Sequence, residues 1–233
     1  MRLYYDLHIH TALSPCADNT MTPNNIINMA CLKGLNVIAI TDHNSVLNLP
    51  PFFEINPAGI MIIPGVEVQS REEVHVLCYF KDLDRAMHFG MRLEERLPDI
   101  SCSPFFGEQL IIDKHDNIIR NYSKLLLGSV DLSLHEVYKL ARYYEGAVVP
   151  AHVDRPHFSI IANLGFVPDD IHFKSVELSQ PENLLEYKKL FPENTLFLFS
   201  SDAHFLGDIN EKTAYFDIKY STIDYIIDYL LSS

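Results

Sequence analysis

The sequence predicts an α/β fold whose strands close into one barrel. Short apolar runs alternate with amphipathic segments along most of the chain, and buried strands separated by helices are typical of a parallel sheet. Histidine or carboxylate residues stand at or just beyond the ends of most apolar runs, as expected when one site is assembled from many strand ends. The length of 233 residues suits a single barrel domain that spans residues 1–233.

The elements follow from local composition in chain order. Short runs rich in β-branched and aromatic residues predict strands at 3–8, 37–40, 60–64, 74–80, 147–150, 175–178, 195–200 and 214–218. Apolar residues at helical spacing predict helices at 23–33, 83–95, 134–145, 182–190 and 221–231; Thr22 starts the first, with Pro23 at its first position. Residues 99–132 interrupt this alternation, and the runs 110–113 and 117–120 around Lys114-His115-Asp116 predict a β-hairpin. We therefore expect an insertion at 99–132, near the mouth of the site.

The composition of the chain indicates where in the cell the protein acts and which kinds of molecule it can bind. Hydrophobic residues make up 48% of the chain and charged residues 21%, which is ordinary for a globular core. Because no leader precedes the first strand and no apolar run approaches the ~20 residues that span a bilayer, we expect a cytoplasmic protein without membrane contact. The four scattered cysteines fit reduced thiols. The net charge of −13 argues against long duplex nucleic acid and favours a small anionic substrate drawn to bound cations; the oligomeric state is unknown.

Histidines at strand ends are the most informative feature of the chain. The first strand ends in Asp6-Leu-His8-Ile-His10, where period-two geometry puts both imidazoles on one face, about 6.8 Å apart. Comparable positions hold the histidines His43, His75, His152 and His204 and the carboxylates Glu67 and Asp202, and a further carboxylate, Asp18, lies in the loop after the first strand. Imidazole and carboxylate at this density indicate a multinuclear metal site suited to Mn, Fe or Zn. The remaining histidines fit surface positions in helices or loops: His88, His115, His135, His157 and His172.

The order of these motifs, DLHIHT, TDHN, GVEV, EVHVL, AHVDR and SDAH, resembles the PHP family, named for polymerase and histidinol phosphatase. The resemblance runs from residue 1 to about residue 218. It extends in particular to the small stand-alone phosphoesterases, among them nucleoside 3′,5′-bisphosphate phosphatases and 5′→3′ oligonucleotide-trimming enzymes. It implies a distorted (β/α)7 barrel of the PHP type that holds three divalent ions.

The resemblance also implies a ligand set. His8, His10, Glu67 and Asp202 would hold the first ion, Glu67, His75 and His152 the second, and Asp18, His43 and His204 the third. The family's loop after HxH is usually a short Ser-Asp-Gly, whereas this chain has Ser14-Pro-Cys-Ala-Asp18-Asn, so in an alternative interpretation Asp18 only caps the loop. Asp42 and Asp6 are expected to orient ligands, and ligation by Cys16 is considered but not favoured.

Two arginines are candidates for binding substrate phosphate. Arg155 follows His152 at the offset at which the resembled branch has an arginine in His-Pro-x-Arg, with Val153 in place of the proline. Its planar guanidinium can bind phosphate through two hydrogen bonds, although a surface salt bridge with Asp154 is the alternative. Arg71, between the GVEV and EVHVL motifs, is the second candidate.

Together these features predict a metal-dependent phosphoesterase that hydrolyses phosphomonoesters or terminal phosphodiesters of a nucleotide or short oligonucleotide. Ions shared by Glu67, with Asp202 as a ligand, would hold a bridging hydroxide, and Arg155 would offset charge in the transition state. A histidinol-phosphate phosphatase is the alternative, and a non-catalytic metal-binding PHP module is an alternative from another class. Amidohydrolases also open with HxH, but here no lysine stands at the matching strand end.

Overall fold

The computed structural model describes residues 1–55, 57 and 59–232. Its strands are β1 (Arg2–Ile9), β2 (Val37–Ile40), β3 (Met61–Gln69), β4 (His75–Tyr79), β5 (Leu110–Ile112), β6 (Ile118–Asn121), β7 (Ala147–Pro150), β8 (Ser175–Glu177), β9 (Leu196–Leu198) and β10 (Tyr215–Asp217). Its α-helices are α1 (Pro23–Leu32), α2 (Leu49–Ile55), α3 (Leu83–Glu94), α4 (Leu134–Tyr143), α5 (Ile160–Leu164), α6 (Leu184–Tyr187) and α7 (Ile223–Ser232). Within the described ranges, no helix has the length and apolar character needed to cross a membrane.

Seven strands form a distorted barrel, which confirms the predicted fold class. β1, β2, β3, β4 and β7 are neighbours in one sheet, and β8 pairs in parallel with β9. A bond from Val153 N to Glu177 O (2.9 Å) joins the end of β7 to β8. Two bonds then join the segment after β9 to β1, from His10 N to Ala203 O (3.0 Å) and from Ala203 N to His8 O (3.1 Å). β10 lies outside this ring and pairs antiparallel with β1.

The expectation of a purely parallel sheet was wrong. β1, β2 and β3 are parallel, but β4 runs antiparallel to both β3 and β7. The reason is the short connection between β3 and β4, a turn closed by the bond from Ser70 N to Val74 O (2.9 Å), because strands joined by a tight turn must run in opposite directions. β3 also continues five residues beyond the predicted end at residue 64, so that Glu67 lies within the strand.

Helices α2 and α5 were not predicted, and the predicted helix 182–190 is broken. α2 contains Pro50 and Pro51, which argue against a helix in a sequence pattern but are tolerated in its first turn. α5 has only five residues, too few for helical periodicity to show. The segment 182–190 consists of 3-10 turns on both sides of the four-residue α6.

Apolar side chains from several barrel strands form one interior cluster. Leu7, Val37, Tyr79 and Val149 belong to an interior cluster, against which Ile227 of α7 packs. The phenol of Tyr79 donates to Leu7 O (2.9 Å), so this polar atom is satisfied inside the cluster. The histidine motifs lie at the carboxyl ends of the parallel strands, next to this interior cluster.

The predicted hairpin is present, and its surroundings support the loops of the site. β5 and β6 pair antiparallel. Leu110 N, at the start of β5, donates to Ala12 O (2.8 Å) in the loop after β1. The amide of Asn44, after β2, donates to Leu126 O and Gly128 O (both 2.8 Å). The segment 99–132 therefore braces two loops that carry predicted ligands.

Candidate metal centre

Glu67 lies at the centre of a buried group of imidazoles. Five histidines approach its carboxylate, His75 Nδ1 (2.8 Å), His152 Nε2 (3.1 Å) and His8 Nε2 (3.4 Å) at Oε1, and His43 Nδ1 (2.8 Å) and His10 Nε2 (3.5 Å) at Oε2. The residue is only 1% exposed. Because both of its oxygens face several imidazoles, this carboxylate has the placement of a bridge between two cations.

Glu67 and three neighbours have the spacing of ligands around one ion. His8 Nε2 lies 3.2 Å from Asp202 Oδ1, His10 Nε2 lies 3.0 Å from the same oxygen, and the two Nε2 atoms are 3.2 Å apart. Ligand atoms bound at the usual zinc distances are about 3.0–3.4 Å apart in octahedral or tetrahedral geometry. The four side chains form one compact group of candidate ligands.

The hydrogen bonds of the opposite ring nitrogens show that a cation fits between His8 and His10. His8 Nδ1 lies 2.9 Å from Glu177 Oε1, a carboxylate that can only accept, so this nitrogen carries the proton. His10 Nδ1 lies 2.9 Å from Ser14 Oγ, which donates its own hydrogen to Asp42 Oδ1 (2.7 Å) and therefore accepts from the ring. The two Nε2 atoms lie 3.2 Å apart, so with both rings neutral their lone pairs would face each other, an arrangement that a shared cation stabilises.

Two buried oxygens at the same place lack partners. Among the described residues, Glu67 Oε2 and Asp202 Oδ1 are buried side-chain oxygens without a hydrogen bond, although histidine nitrogens lie 2.8 and 3.0 Å away. Buried polar atoms almost always have a partner, and a bound ion is one of the ordinary partners of an oxygen that lacks a hydrogen bond. The residues present thus fit divalent cations on the chemistry of their donor atoms.

The structure gathers all predicted ligands except Asp18. Two further groups of candidate ligands are His43 with Glu67 and His75, and His10 with His43 and His204. The carboxylate of Asp18 instead accepts from Thr20 N (2.8 Å) within its own loop. In that loop Cys16 is the residue whose side chain contacts His43 and His204.

Charge in the centre is balanced among carboxylates and imidazoles. Burial opposes ionisation of Glu67, but His75 and His8 outweigh burial and hold the pKa of this carboxyl well below its usual range. Burial would lower the pKa of His8, but Asp202 and Glu177 raise it well above the ordinary value. For Cys16, burial raises the pKa of the thiol, whereas hydrogen bonds with His204 and His43 lower it to about 7. Glu67 therefore stays ionised, which is the form in which a carboxylate binds a cation.

Three residues in or next to the ligand motifs have a left-handed backbone conformation. Asn44, His152 and Asp202 have φ values of 49°, 29° and 52°. Such conformations cost about 1–3 kcal/mol each in residues other than glycine and persist where the surroundings fix them. His152 N donates to Glu177 Oε1 (3.1 Å), which helps to fix that turn. The strained backbone at His152 and Asp202 therefore occurs at residues whose side chains are predicted to bind metal.

A cavity of about 430 Å³ opens directly onto the cluster. Arg155 lies in its wall and donates from Nη1 to Asp202 Oδ2, so the salt bridge considered with Asp154 is not formed. His157, which the sequence indicated as a surface residue, is exposed but also lines the cavity. Arg71 is not brought to the cavity: its guanidinium pairs with Asp131 (2.8 Å) on the surface, so a phosphate-binding role has no support in this placement.

Glu177 is the residue that sequence reasoning missed. It is 1% exposed and bonds to both His8 Nδ1 and His152 N, so it orients two predicted ligands at once. A signal was available, since an acidic residue ends the buried Ser-Val-Glu run of a predicted strand. Asp42 accepts from the Ser14 hydroxyl, which contacts His10 Nδ1, so it is placed to orient that ligand as expected. Asp6 accepts from the Ser201 hydroxyl and from His8 N, which are contacts to a neighbouring side chain and to backbone and not to a ligand ring.

Comparison with known sequences places these features in context. Residues 6–198 match the family model described as PHP domain. The 5′-3′ exoribonuclease Rnm of Escherichia coli (strain K12) is 34% identical over 79 residues, a segment that covers 31% of this chain and 26% of that enzyme. The chain therefore matches only about a quarter of the length of this curated relative.

Solved structures share the fold. The lesion-specific endonuclease EndoQ from Pyrococcus furiosus superimposes with a TM-score of 0.66 at 21% identity, covering 98% of this chain and 55% of EndoQ. Endonuclease Q has also been solved with a 27-mer duplex that carries an abasic lesion at the active site (TM-score 0.65). A protein from Bifidobacterium adolescentis assigned as a metal-dependent phosphoesterase gives 0.60 at 19% identity, covering 98% and 96% of the two chains.

Proposed function

Because this chain belongs to the PHP domain family of metal-dependent hydrolases of phosphoric esters, we propose that it cleaves phosphomonoesters or terminal phosphodiesters of small nucleotide substrates at the Glu67 centre. The observation that carries this proposal is the convergence of five imidazoles on one buried carboxylate, beside a cavity that contains an arginine. Such a site combines cation binding with a fixed positive side chain, which is what phosphoryl transfer requires.

The proposed ligands divide into overlapping sets. His8, His10 and Asp202 would hold one ion with Glu67, His75 and His152 would hold a second with Glu67, and His43 with His204 would contribute to a third. Three ions, and their identity as Mn, Fe or Zn, are part of the proposal. When bound, divalent ions supply Lewis-acid polarisation of the phosphoryl group and activation of water.

Arg155 is proposed to bind the substrate phosphate. Its side chain is 41% exposed and reaches Asp202 from the cavity wall, so a phosphate entering the cavity meets the guanidinium beside the centre. A guanidinium can donate to two phosphate oxygens in a fixed plane while it offsets charge that grows in the transition state. His157 lies on the same wall, where an imidazole can exchange a proton with a leaving oxygen.

The substrate class rests on the cavity and on the relatives. A volume of about 430 Å³ lies in the range of small-molecule sites and suits one nucleotide or the end of a short strand. The relative Rnm is named as a 5′-3′ exoribonuclease, which acts at an end. The exclusion of long duplex nucleic acid is not supported. Endonuclease Q, which has the same fold, was solved with a duplex bound. The net charge of a chain also does not determine the electrostatic potential inside one cavity.

A substrate panel tests the proposal. The metal-loaded protein is assayed for phosphate or nucleotide release with a nucleoside 3′,5′-bisphosphate, short 5′-phosphorylated RNA, histidinol phosphate, an aryl phosphate and duplex DNA with an abasic site. We expect turnover of the first two to exceed that of histidinol phosphate by at least tenfold, and Glu67→Gln to serve as the inactive control. Preference for histidinol phosphate or for internal cleavage of duplex would overturn the substrate class. Absence of turnover on every ester would overturn the proposed activity.

A further inference from the structure

The group formed by His10, His43 and His204 contains no carboxylate. Asp18, the anionic ligand expected from the family pattern, has its carboxylate engaged by Thr20, with bonds from Thr20 N (2.8 Å) and the Thr20 hydroxyl. This bonding holds the Asp18 side chain in its own exposed turn. Asp18 therefore offers no oxygen to these imidazoles, and the carboxylate oxygens nearest to His43 and His204, Glu67 Oε2 (2.8 Å) and Asp202 Oδ1 (3.6 Å), belong to the neighbouring groups of candidate ligands.

The loop 14–18 is fixed to the centre at both of its ends. Ser14 Oγ accepts from His43 N (3.1 Å) and lies 2.9 Å from His10 Nδ1. At the other end, Asp18 N donates to His204 O (2.9 Å). Within this loop, Ala17 N donates to Ser14 O (2.9 Å), so the chain turns tightly between the two anchors.

Cys16 lies in the middle of this anchored turn. Its thiol is within hydrogen-bonding reach of the His43 and His204 imidazoles, the two side chains predicted for the third ion. The residue is also open to solvent, so an ion can reach it. The turn thus presents sulfur at the place where the family pattern has a carboxylate.

We infer that Cys16, with His43 and His204, holds the third divalent ion in place of Asp18. This inference rests on the multinuclear centre of the proposed function and deepens it. A thiolate is a soft ligand, and together with two imidazoles it favours Zn²⁺ or Fe²⁺ over Mn²⁺ or Mg²⁺. The third position is therefore a zinc-type or iron-type site, unlike the harder carboxylate-bridged positions around Glu67.

Anaerobic titration of the chelator-treated protein with Co²⁺ tests this inference. Bound to a thiolate, Co²⁺ gives a near-ultraviolet sulfur-to-metal charge-transfer band, whereas imidazole and carboxylate ligands give none. We expect the wild-type protein to show this band, with an amplitude that corresponds to one thiolate for each chain. Cys16→Ser should lose the band and bind one equivalent fewer, and Cys16→Asp should lose the band but regain that equivalent.

Matched controls separate ligation from other effects. Asp18→Asn and Cys31→Ser, the latter at another exposed cysteine, should keep both the band and the metal content. A band that persists in Cys16→Ser, or full loading of the wild type without any band, overturns the inference. Labelling of Cys16 by a thiol reagent in the Cys31→Ser background gives a second reading, since bound Zn²⁺ should slow it at least tenfold, and an unchanged rate overturns the inference.

The two proposals fail in different ways. Turnover of phosphoesters by a protein that shows no cobalt–thiolate band removes Cys16 as a ligand and leaves the proposed function in place. A normal band in a protein that hydrolyses no phosphoester leaves Cys16 as a ligand and removes the proposed function.

Discussion

Replacement of Glu177 by glutamine tests how far the centre depends on a residue that binds no ion itself. Glu177 Oε1 lies 2.9 Å from His8 Nδ1 and 3.1 Å from His152 N, so one carboxylate holds two predicted ligands. Glutamine preserves the shape but removes the charge. A charge-assisted hydrogen bond contributes about 1.5–3 kcal/mol and a neutral one about 0.5–1.5 kcal/mol, so the loss is about 1–2 kcal/mol. This energy corresponds to a decrease of about 5–30-fold in metal affinity.

The assay is competition between the protein and a chelator for Zn²⁺. We expect Glu177→Gln to release the most weakly held ion at about tenfold lower chelator concentration than the wild type, with kcat/KM reduced in parallel. Glu182→Gln is the matched control, because Glu182 is exposed and lies five residues further along the chain. Equal chelator midpoints for the two variants would refute the view that Glu177 orients His8.

Further predictions concern the bridge, the phosphate ligand and stability. Glu67→Gln should lower kcat by about 100-fold or more with an unchanged circular dichroism spectrum, because it removes the negative charge that two ions share; retention of most activity would show that Glu67 is misassigned. Arg155→Ala should weaken kcat/KM for phosphoesters by about 2–4 kcal/mol at constant metal content, with partial rescue by lysine and no effect of Arg71→Ala; a parental rate, or loss of metal, would contradict this role. Removal of metal should lower Tm by about 5–10 °C, since ligand at 100 times its Kd stabilises the native state by about 2.7 kcal/mol; calorimetry with and without chelator checks this, and an unchanged Tm would argue against native-state binding.

The sequence was sufficient for the residues whose position depends on strand periodicity. His8 and His10 stand two residues apart in an apolar strand, so a short-range rule put both imidazoles on one face, and both do face Asp202. The fold class followed in the same way from alternating strands and helices. The direction of β4 could not be predicted in this way, because it depends on whether the link from β3 is a tight turn or a crossover. The sequence of residues 65–73 is typical of neither.

Residues whose role depends on distant pairing or loop conformation could not be found in this way. Glu177 is 169 positions from His8 in sequence, and the two meet only because β8 follows β7 in the barrel. Arg71 lies near Glu67 in sequence, but the turn after β3 directs it to Asp131 on the surface. The choice between Asp18 and a neighbour in the same loop depends on hydrogen bonds to other elements, which no local pattern encodes.

If phosphoester hydrolysis depends on a multinuclear centre organised by Glu67, activity must follow the number of bound ions, and this can be measured by titrating the protein with metal. Chelator-stripped protein receives increasing equivalents of Zn²⁺ or Mn²⁺, and phosphate release from a nucleoside 3′,5′-bisphosphate is measured at each point. We expect no turnover in the stripped protein, recovery only after more than one equivalent is bound, and a plateau near three equivalents. Turnover without metal, or a plateau at a single equivalent, would contradict it.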